Sequence, residues 1–304
     1  MRIGELTPRE LEARLGGPGL WIRTGPFVFD VRSRVPRIAA AIGRLYPDFP
    51  LADREGFADY HVRVRLAGGL RRVLRPQALF DLDGYRPFAP LPGAQAFALL
   101  EWGMNWCIYG HAHQFLMLHG AVMERDGTAL LLPAPAGSGK STLCAGLMSR
   151  GWRLFSDELI LYDRAQGCVR ALARPVSLKN ASIDLMRAFA PEAVVTDPMH
   201  DTAKGSVAHM RPSADSVERV DEPAVPRQVV FPGFRAGAPT TLERLAPADV
   251  FVGLVGNEFN YSLLRREGFR ALAGLVDAVE GHRLVYGELD DAIARLDRLV
   301  GAAA

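Results

Sequence analysis

The residues best suited to chemistry stand together near the middle of the chain, in the run Ala136-Gly137-Ser138-Gly139-Lys140-Ser141-Thr142. Ahead of it lies the apolar stretch Ala129–Leu132, bounded by Pro133, which reads as a buried strand. Behind it, Leu143, Leu147 and Met148 have the spacing of a helix packed on a sheet, over Ser141–Arg150. A strand, a glycine-rich loop and a helix opening on Gly-Lys-Ser make up the arrangement of a phosphate-binding loop. Backbone N–H groups of residues 136 to 141 would face one concavity and bind phosphate oxygens at the helix N-terminus. Lys140 would reach the β- and γ-phosphates, and the Ser141 hydroxyl would ligate Mg²⁺. The expected ligands are therefore ATP and Mg²⁺. The pattern ordinarily opens with glycine, and here Ala134, another small residue, takes that place.

Phosphoryl transfer needs further groups: a carboxylate to hold the metal and a base beside the acceptor hydroxyl. Asp157 and Glu158 follow the strand Trp152–Phe155, which comes next after the helix of the loop. In an open α/β sheet, ligands sit outside the carboxyl ends of the strands, so this acidic pair falls where the γ-phosphate would lie. His119, in the strand before the loop, would reach the same rim. Arg174, Lys179, Lys204 and Arg211 follow in polar segments and would supply positive charge to a transferring phosphoryl group. Asn257–Tyr261 is a polar stretch at a helix exit that would line the cleft, whereas His111 and His113 end an apolar helix without a third ligand and read as structural.

The elements that must position these groups follow from periodicity. Gly19–Val31 reads as two short strands, Pro36–Leu45 as a helix, Asp59–Leu66 as a strand with one solvated face, and Val73–Leu82 as further short strands. Arg63 and Arg65 share the solvated face of the third strand, a place where an acidic peptide could add by strand pairing. A proline-rich stretch, Pro87 to Pro92, closes this unit, and an apolar helix, Ala94–His113, begins the next. Phe115–Met123 and Thr128–Leu132 form a hairpin that delivers the loop, and Leu159–Tyr162 pairs with Cys168–Leu172. Asn180–Phe189 reads as a helix capped by asparagine. Residues 191 to 226 are rich in Pro, Asp, Ser and His with little periodicity, and read as a substrate lid or a disordered loop. Arg227–Phe231 and Leu284–Tyr286 are strands, and Pro247–Val255, Phe269–Val279 and Leu289–Val300 are helices.

Composition narrows the classes of function. The 304 residues carry 36 basic against 34 acidic side chains, and a net charge of +2 gives no reason to expect a nucleic-acid partner. Cys107, Cys144 and Cys168 are widely spaced with no C-x-x-C pair, which argues against a disulfide framework or zinc site and for a reducing compartment. The apolar stretch Ala94–Met117 is interrupted by Glu101, Asn105, His111 and His113, so no membrane span is expected. The start of the chain has no signal-peptide core, and the expected location is cytoplasmic.

Taken together, His119-Gly120-Ala121-Val122, the Gly127 turn, Gly137-Ser138-Gly139-Lys140-Ser141, Arg150-Gly151 and Leu154-Phe155-Ser156-Asp157-Glu158 resemble the HPr kinase/phosphorylase family. The likeness is greatest to its HPr-kinase-related branch. The resemblance implies an α/β fold with a mixed sheet, a P-loop kinase core of the HPr-kinase/PEP-carboxykinase type; periodicity alone sets a small strand-rich unit ahead of it. The likeness covers residues 94–162 best and gives no match for the family's own N-terminal domain; the strand pattern places a small α+β domain at 1–92, read as serving substrate recognition, before a catalytic domain at 93–304. Carried over residue by residue, the resemblance makes Asp157 the base toward an acceptor serine, pairs His119 with Asp157, and gives Mg²⁺ to Ser141 and Glu158. Thr142 stands where the regulatory enzymes carry Glu, and no Glu-Val-Arg-Gly-type loop follows, so neither phosphorylase activity nor HPr as substrate is implied. The expected function is an ATP-dependent kinase acting on a serine of a peptide or small protein, as a homo-oligomer. A nucleotide-gated binding module and a small-molecule kinase using the same centre are the alternatives.

Overall fold

The structure, a computed structural model, describes residues 1–53, 55–69, 74–135 and 137–301. Ala136, expected in the phosphate loop, and Val73, expected to begin a strand, lie outside the described residues.

The chain opens with the helix Pro8–Gly16, fixed at its start by a reciprocal capping box between Thr7 and Glu10. Strands β1 (Leu20–Thr24), β2 (Phe27–Ser33), β3 (Tyr60–Leu66), β4 (Gln77–Leu82) and β5 (Leu91–Pro92) form one sheet in that order, with the helix Pro36–Leu45 between β2 and β3. Only β2 and β3 run parallel. The period of two along β3 sends Tyr60, Val62 and Val64 inward and His61 and Arg63 to solvent. The helix Ala96–His111 lies on the inner face, where Phe97, Leu100, Met104 and Ile108 share a core with Val62, Val64 and Phe80. Contact is so close that a Cβ at Gly103 would stand 2.1 Å from the Phe80 ring. Because β3 is held between β2 and β4, Arg63 and Arg65 sit on a closed strand, and the expected addition of a peptide by strand pairing there is corrected. A ligand can meet those arginines only face-on.

The second sheet is built around the hairpin of β6 (Phe115–Arg125) and β7 (Thr128–Pro133). After the helix Lys140–Ser149 come β8 (Arg153–Ser156), β9 (Leu159–Asp163), β10 (Cys168–Arg170) and β11 (Val176–Lys179). The helix Ala181–Phe189, the hairpin strands β12 (Met199–Thr202) and β13 (Gly205–Met210), and the short helix Ala214–Glu218 follow. Next are β14 (Val225–Phe234), β15 (Thr241–Arg244), the helices Pro247–Val255 and Tyr261–Ala278, β16 (Glu280–Tyr286) and the helix Leu289–Gly301. The large sheet has the order β10-β9-β6-β7-β14-β16-β15, with β8 also on β6, and it is parallel only where β14 meets β7 and β16. It is thus a mixed α/β fold with mixed sheets.

Alternation places the two faces of the large sheet in separate cores. Leu130 and Leu132 of β7 pack with Leu143 and Leu147 of the loop's helix and with Leu296. Ala129 and Leu131 pack the other way, against Val250, Leu254, Leu272 and Leu275. Each such fully buried Leu side chain contributes about 1.5–3 kcal/mol relative to exposure, so the strand that carries the glycine loop is anchored from both sides.

Three readings need correction. Residues 191 to 226 are neither a disordered loop nor without strands: β12 and β13 join β11 in a separate sheet of order β11-β13-β12. The helix Ala181–Phe189 forms, but the Asn180 side chain does not cap it. Asn180 instead accepts from the Ser206 N–H at 3.0 Å and donates to the Lys204 carbonyl at 3.5 Å, with φ at 51°. The last long helix begins at Tyr261, well before Phe269, and is interrupted by a non-helical Arg265 at φ 53°. Among the described residues no helix is long and apolar enough to cross a membrane.

Candidate active site

The loop between β7 and the helix Lys140–Ser149 has the conformation its composition allows. Gly137 and Gly139 have φ of 89° and 86°, the left-handed region, and Gly139 is the N-cap residue. Two neighbours hold the loop: the Phe234 N–H donates to the Ser138 carbonyl at 3.0 Å, and the Tyr286 hydroxyl donates to the Gly139 carbonyl at 3.2 Å. A Cβ on Gly139 would stand 2.6 Å from the Tyr286 hydroxyl and 2.8 Å from Phe234 Cβ. Gly139→Ala is therefore expected to strain the backbone by about 1–2 kcal/mol, displace Tyr286 and Phe234, and lower nucleotide affinity at least tenfold, read by titration with labelled ATP. Unchanged affinity would show that this loop is not the binding element. Ser141 and Thr142 lie partly exposed in the first turn, where helix N–H groups have no intrahelical partner.

Lys140 is buried, and its ammonium donates to the Asp157 carbonyl at 2.5 Å while lying 4.0 Å from Asp157 Oδ1. The carboxylate is fixed on its other oxygen, where Oδ2 accepts the Ser177 N–H at 3.0 Å. Oδ1 accepts no hydrogen bond. The turn carrying the acidic pair is itself tied down by Ser156 Oγ, which accepts from the N–H groups of Glu158 (3.3 Å) and Leu159 (3.0 Å).

Consecutive strand-end residues point to different sides, and this separates Asp157 from Glu158. Asp157 turns in toward Lys140 and Ser177, while Glu158 turns toward His119 and Lys179. His119 Nδ1 and Lys179 Nζ each lie 3.7 Å from a Glu158 oxygen. The pairing expected for His119 with Asp157 is thus replaced by one with Glu158. The His119 ring meets Phe259 edge-on at 5.7 Å, Phe259 stacks on Tyr109 at 4.9 Å, and the His119 N–H donates to the Asn257 carbonyl at 2.6 Å. Asn260 bridges to β6 through the Met117 N–H and the Phe115 carbonyl. The stretch Asn257–Tyr261 therefore does flank His119.

Charge around the acidic pair is predominantly positive. Burial pushes the Glu158 carboxyl up, but Lys140, Lys179, Lys204 and His119 together outweigh it and hold its pKa below the ordinary value. Burial, with the neighbouring Lys179 and Lys140, lowers that of Lys204, whose ammonium also sits 5.4 Å over the Trp102 ring. Burial and Lys140 lower that of His119. Three lysines thus meet two carboxylates, an excess that an anion would satisfy.

Of the basic residues named from the sequence, Lys179 and Lys204 reach the site. Arg174 is buried beside it but neutralised by Glu101 at 2.7 Å, and Arg211 is engaged elsewhere with Asp48. Ser177, Phe234 and Tyr286 carry no local sequence signal for the site, because each reaches it through long-range strand pairing. Asn180 was foreseen only as a helix cap; its left-handed backbone, which costs on the order of 1–3 kcal/mol, joins Lys179 to the Lys204 hairpin.

Beneath the acidic pair lies a small cavity of about 20 Å³ lined by Trp102, Asn105, Asp157, Arg174, Ser177 and His209, among others. His209 is 1 % exposed, packs edge-on against Phe97, and neither ring nitrogen is hydrogen-bonded. Burial pushes its pKa down to about 4. Between pH 6.5 and 4 the unfolded chain therefore binds this proton and the folded chain does not, so stability falls as pH drops through that window, by about 1.4 kcal/mol per unit. Denaturant melts at intervals from pH 7 to 4 should show this slope, and His209→Met should lose it; equal slopes would contradict the assignment.

No family model matches the chain, and no curated protein does. Among solved structures it is similar to the HPr(Ser) kinase/phosphatase from Coxiella burnetii, over 61% of this chain and 98% of that one, with 12% sequence identity and a TM-score of 0.27. At that identity and score the likeness gives no residue a role, and the site stands on its own geometry.

Proposed function

We propose that this protein is an ATP- and Mg²⁺-dependent kinase that transfers the γ-phosphoryl group to a hydroxyl, most plainly a serine of a peptide or small protein. One observation carries the reading: a glycine loop at a helix N-terminus, a buried lysine and an acidic pair meet with an excess of lysine charge. Residues 93–304 would perform the chemistry and residues 1–92 would serve recognition.

The donors present fit the ligands. The Ser141 hydroxyl and the Glu158 carboxylate are the hard oxygen donors that suit Mg²⁺, which binds through one or two carboxylates plus substrate phosphates. Mg²⁺ supplies charge compensation on the phosphates. Asp157 Oδ1, buried without a hydrogen bond, is an acceptor held in reserve. Lys140 donates to the Asp157 carbonyl. A phosphate in the loop offers Lys140 a stronger, charge-assisted partner, leaving Asp157 Oδ1 to take the acceptor proton. The acceptor oxygen then bonds to the γ-phosphorus as the bridging oxygen–phosphorus bond breaks, ADP leaves, and the proton passes to Asp157. His119 lies beside Glu158, its Nδ1 3.7 Å from the carboxylate.

The test uses purified protein, Mg²⁺ and γ-labelled ATP with serine-containing peptides and a lysate, followed by gel and mass spectrometry. Label on an acceptor serine is the expected result. Tight ATP binding with no labelled acceptor would overturn the kinase reading in favour of the nucleotide-gated module.

A further inference from the structure

The solvated face of the N-terminal sheet carries an arrangement that the nucleotide chemistry does not use. Parallel register places Arg32 of β2 directly opposite Arg63 of β3, and Arg65 follows on the same face. Like charges directly opposite on paired strands are destabilising. Arg32 is partly compensated by Asp30 at 2.8 Å, and Asp30 also meets His61 at 3.1 Å. Asp81, opposite Arg63 on β4, is engaged by Arg86 at 3.8 Å and by the Gly84 N–H. Among the described residues Arg63 and Arg65 form no ion pair.

Two concavities open on this face, of about 460 and 380 Å³, and Arg32, Arg63 and Arg65 line both. The two meet at these shared arginines, the first also lined by Arg86 and the second by Arg34. Five guanidinium groups thus face three carboxylates, those of Asp30, Asp81 and Asp83. Both lateral edges of β3 are already paired, and the outer edge of β1 is covered where the Ala52 N–H donates to the Trp21 carbonyl at 3.0 Å. Recognition here runs through side chains.

We propose that this arginine-lined face is a docking site for an extended acidic peptide whose carboxylates alternate with other residues. Arg63 and Arg65 are two residues apart on one strand, about 6.5–7 Å along it, which matches the spacing of alternate side chains in an extended peptide. Each guanidinium can meet a carboxylate in bidentate fashion. The aspartates interspersed among the arginines favour a peptide whose carboxylates are spaced by other residues over the continuous polyanion of a nucleic acid. Docking involves no nucleotide, so the idea stands or falls independently of the kinase reading.

The experiment measures fluorescence anisotropy of a labelled twelve-residue peptide with Glu at alternate positions, on the full chain without nucleotide. A matched peptide with Gln and a labelled single-stranded oligonucleotide serve as comparisons. The Glu peptide is expected to bind, the Gln peptide to bind at least tenfold more weakly, and raised salt to weaken the complex. Arg63→Glu with Arg65→Glu should cost at least tenfold, and the milder Arg63→Gln with Arg65→Gln a smaller loss in the same direction. Far-UV circular dichroism and a melting temperature equal to that of the unaltered protein confirm that each variant is folded. Equal binding of the Glu and Gln peptides, insensitivity to both arginine variants in folded protein, or tighter arginine-dependent binding of the oligonucleotide would each overturn the proposal.

Discussion

Asp157→Asn is expected to lower acceptor labelling by about 10²–10⁴-fold, the usual contribution of a positioned base, while ATP still binds. Asparagine keeps an oxygen for the Ser177 N–H, which Asp157 Oδ2 now accepts at 3.0 Å, so the strand-end turn should persist. What is lost is a carboxylate able to take the acceptor proton and the negative charge 4.0 Å from the Lys140 ammonium. The free variant should therefore melt at a lower temperature than the parent, because a buried cation loses its partner. Saturating ATP should restore much of the difference by supplying phosphate charge. Glu158→Gln is the informative companion, since the Glu158 carboxylate lies beside His119 and Lys179, whereas Lys140 Nζ rests on Asp157. Its expected effect is a weakened dependence on Mg²⁺. Should Asp157→Asn keep full transfer while Glu158→Gln abolishes it, the two roles would have to be exchanged.

The second large effect concerns the joint between the N-terminal sheet and the site. The Tyr46 hydroxyl donates to Glu101 at 2.5 Å, Arg174 donates to the other Glu101 oxygen at 2.7 Å, and Arg174 also reaches Asn105 at 3.0 Å. All three side chains of the Tyr46–Glu101–Arg174 chain are buried. Removing one member of a buried ion pair leaves an uncompensated charge and costs about 3–5 kcal/mol. Glu101→Ala should accordingly lower the melting midpoint by roughly 6–20 °C, taking about 2–4 °C per kcal/mol for domains of this size. Glu101→Met combined with Arg174→Met removes both charges and should recover most of the loss, because apolar replacement of a buried pair is often neutral. A loss below about 1 kcal/mol in the single variant, on the same scale, would mean that water or another group compensates Arg174. Since Arg174 also lines the cavity under Asp157, the single variant should weaken transfer as well as stability.

The chain's local order was largely written in its sequence. The hairpin of β6 and β7, the glycine loop and the helix after it follow from an apolar run, glycines at turn positions and helical spacing, and these signals act between near neighbours. The same holds for the helix Pro36–Leu45, whose bounds the structure reproduces, and for the acidic pair at a strand end. Tertiary structure decided how those pieces face one another. β11, β12 and β13 are short and polar in part, so only pairing across distant segments makes them strands, and that pairing brings Lys179 and Lys204 to Glu158. The turn after β8 decided that Asp157 meets Lys140 while Glu158 meets His119, a choice of side-chain direction that adjacent residues alone do not encode. The helix Ala96–His111 has apolar residues on nearly every side, so its sequence shows that it is buried but not against what; Phe80 and Val62 of the N-terminal sheet settle that. Periodicity and turn chemistry fix elements because they depend on a few neighbouring residues, whereas a site made from many separate elements exists only once the long-range pairings have closed.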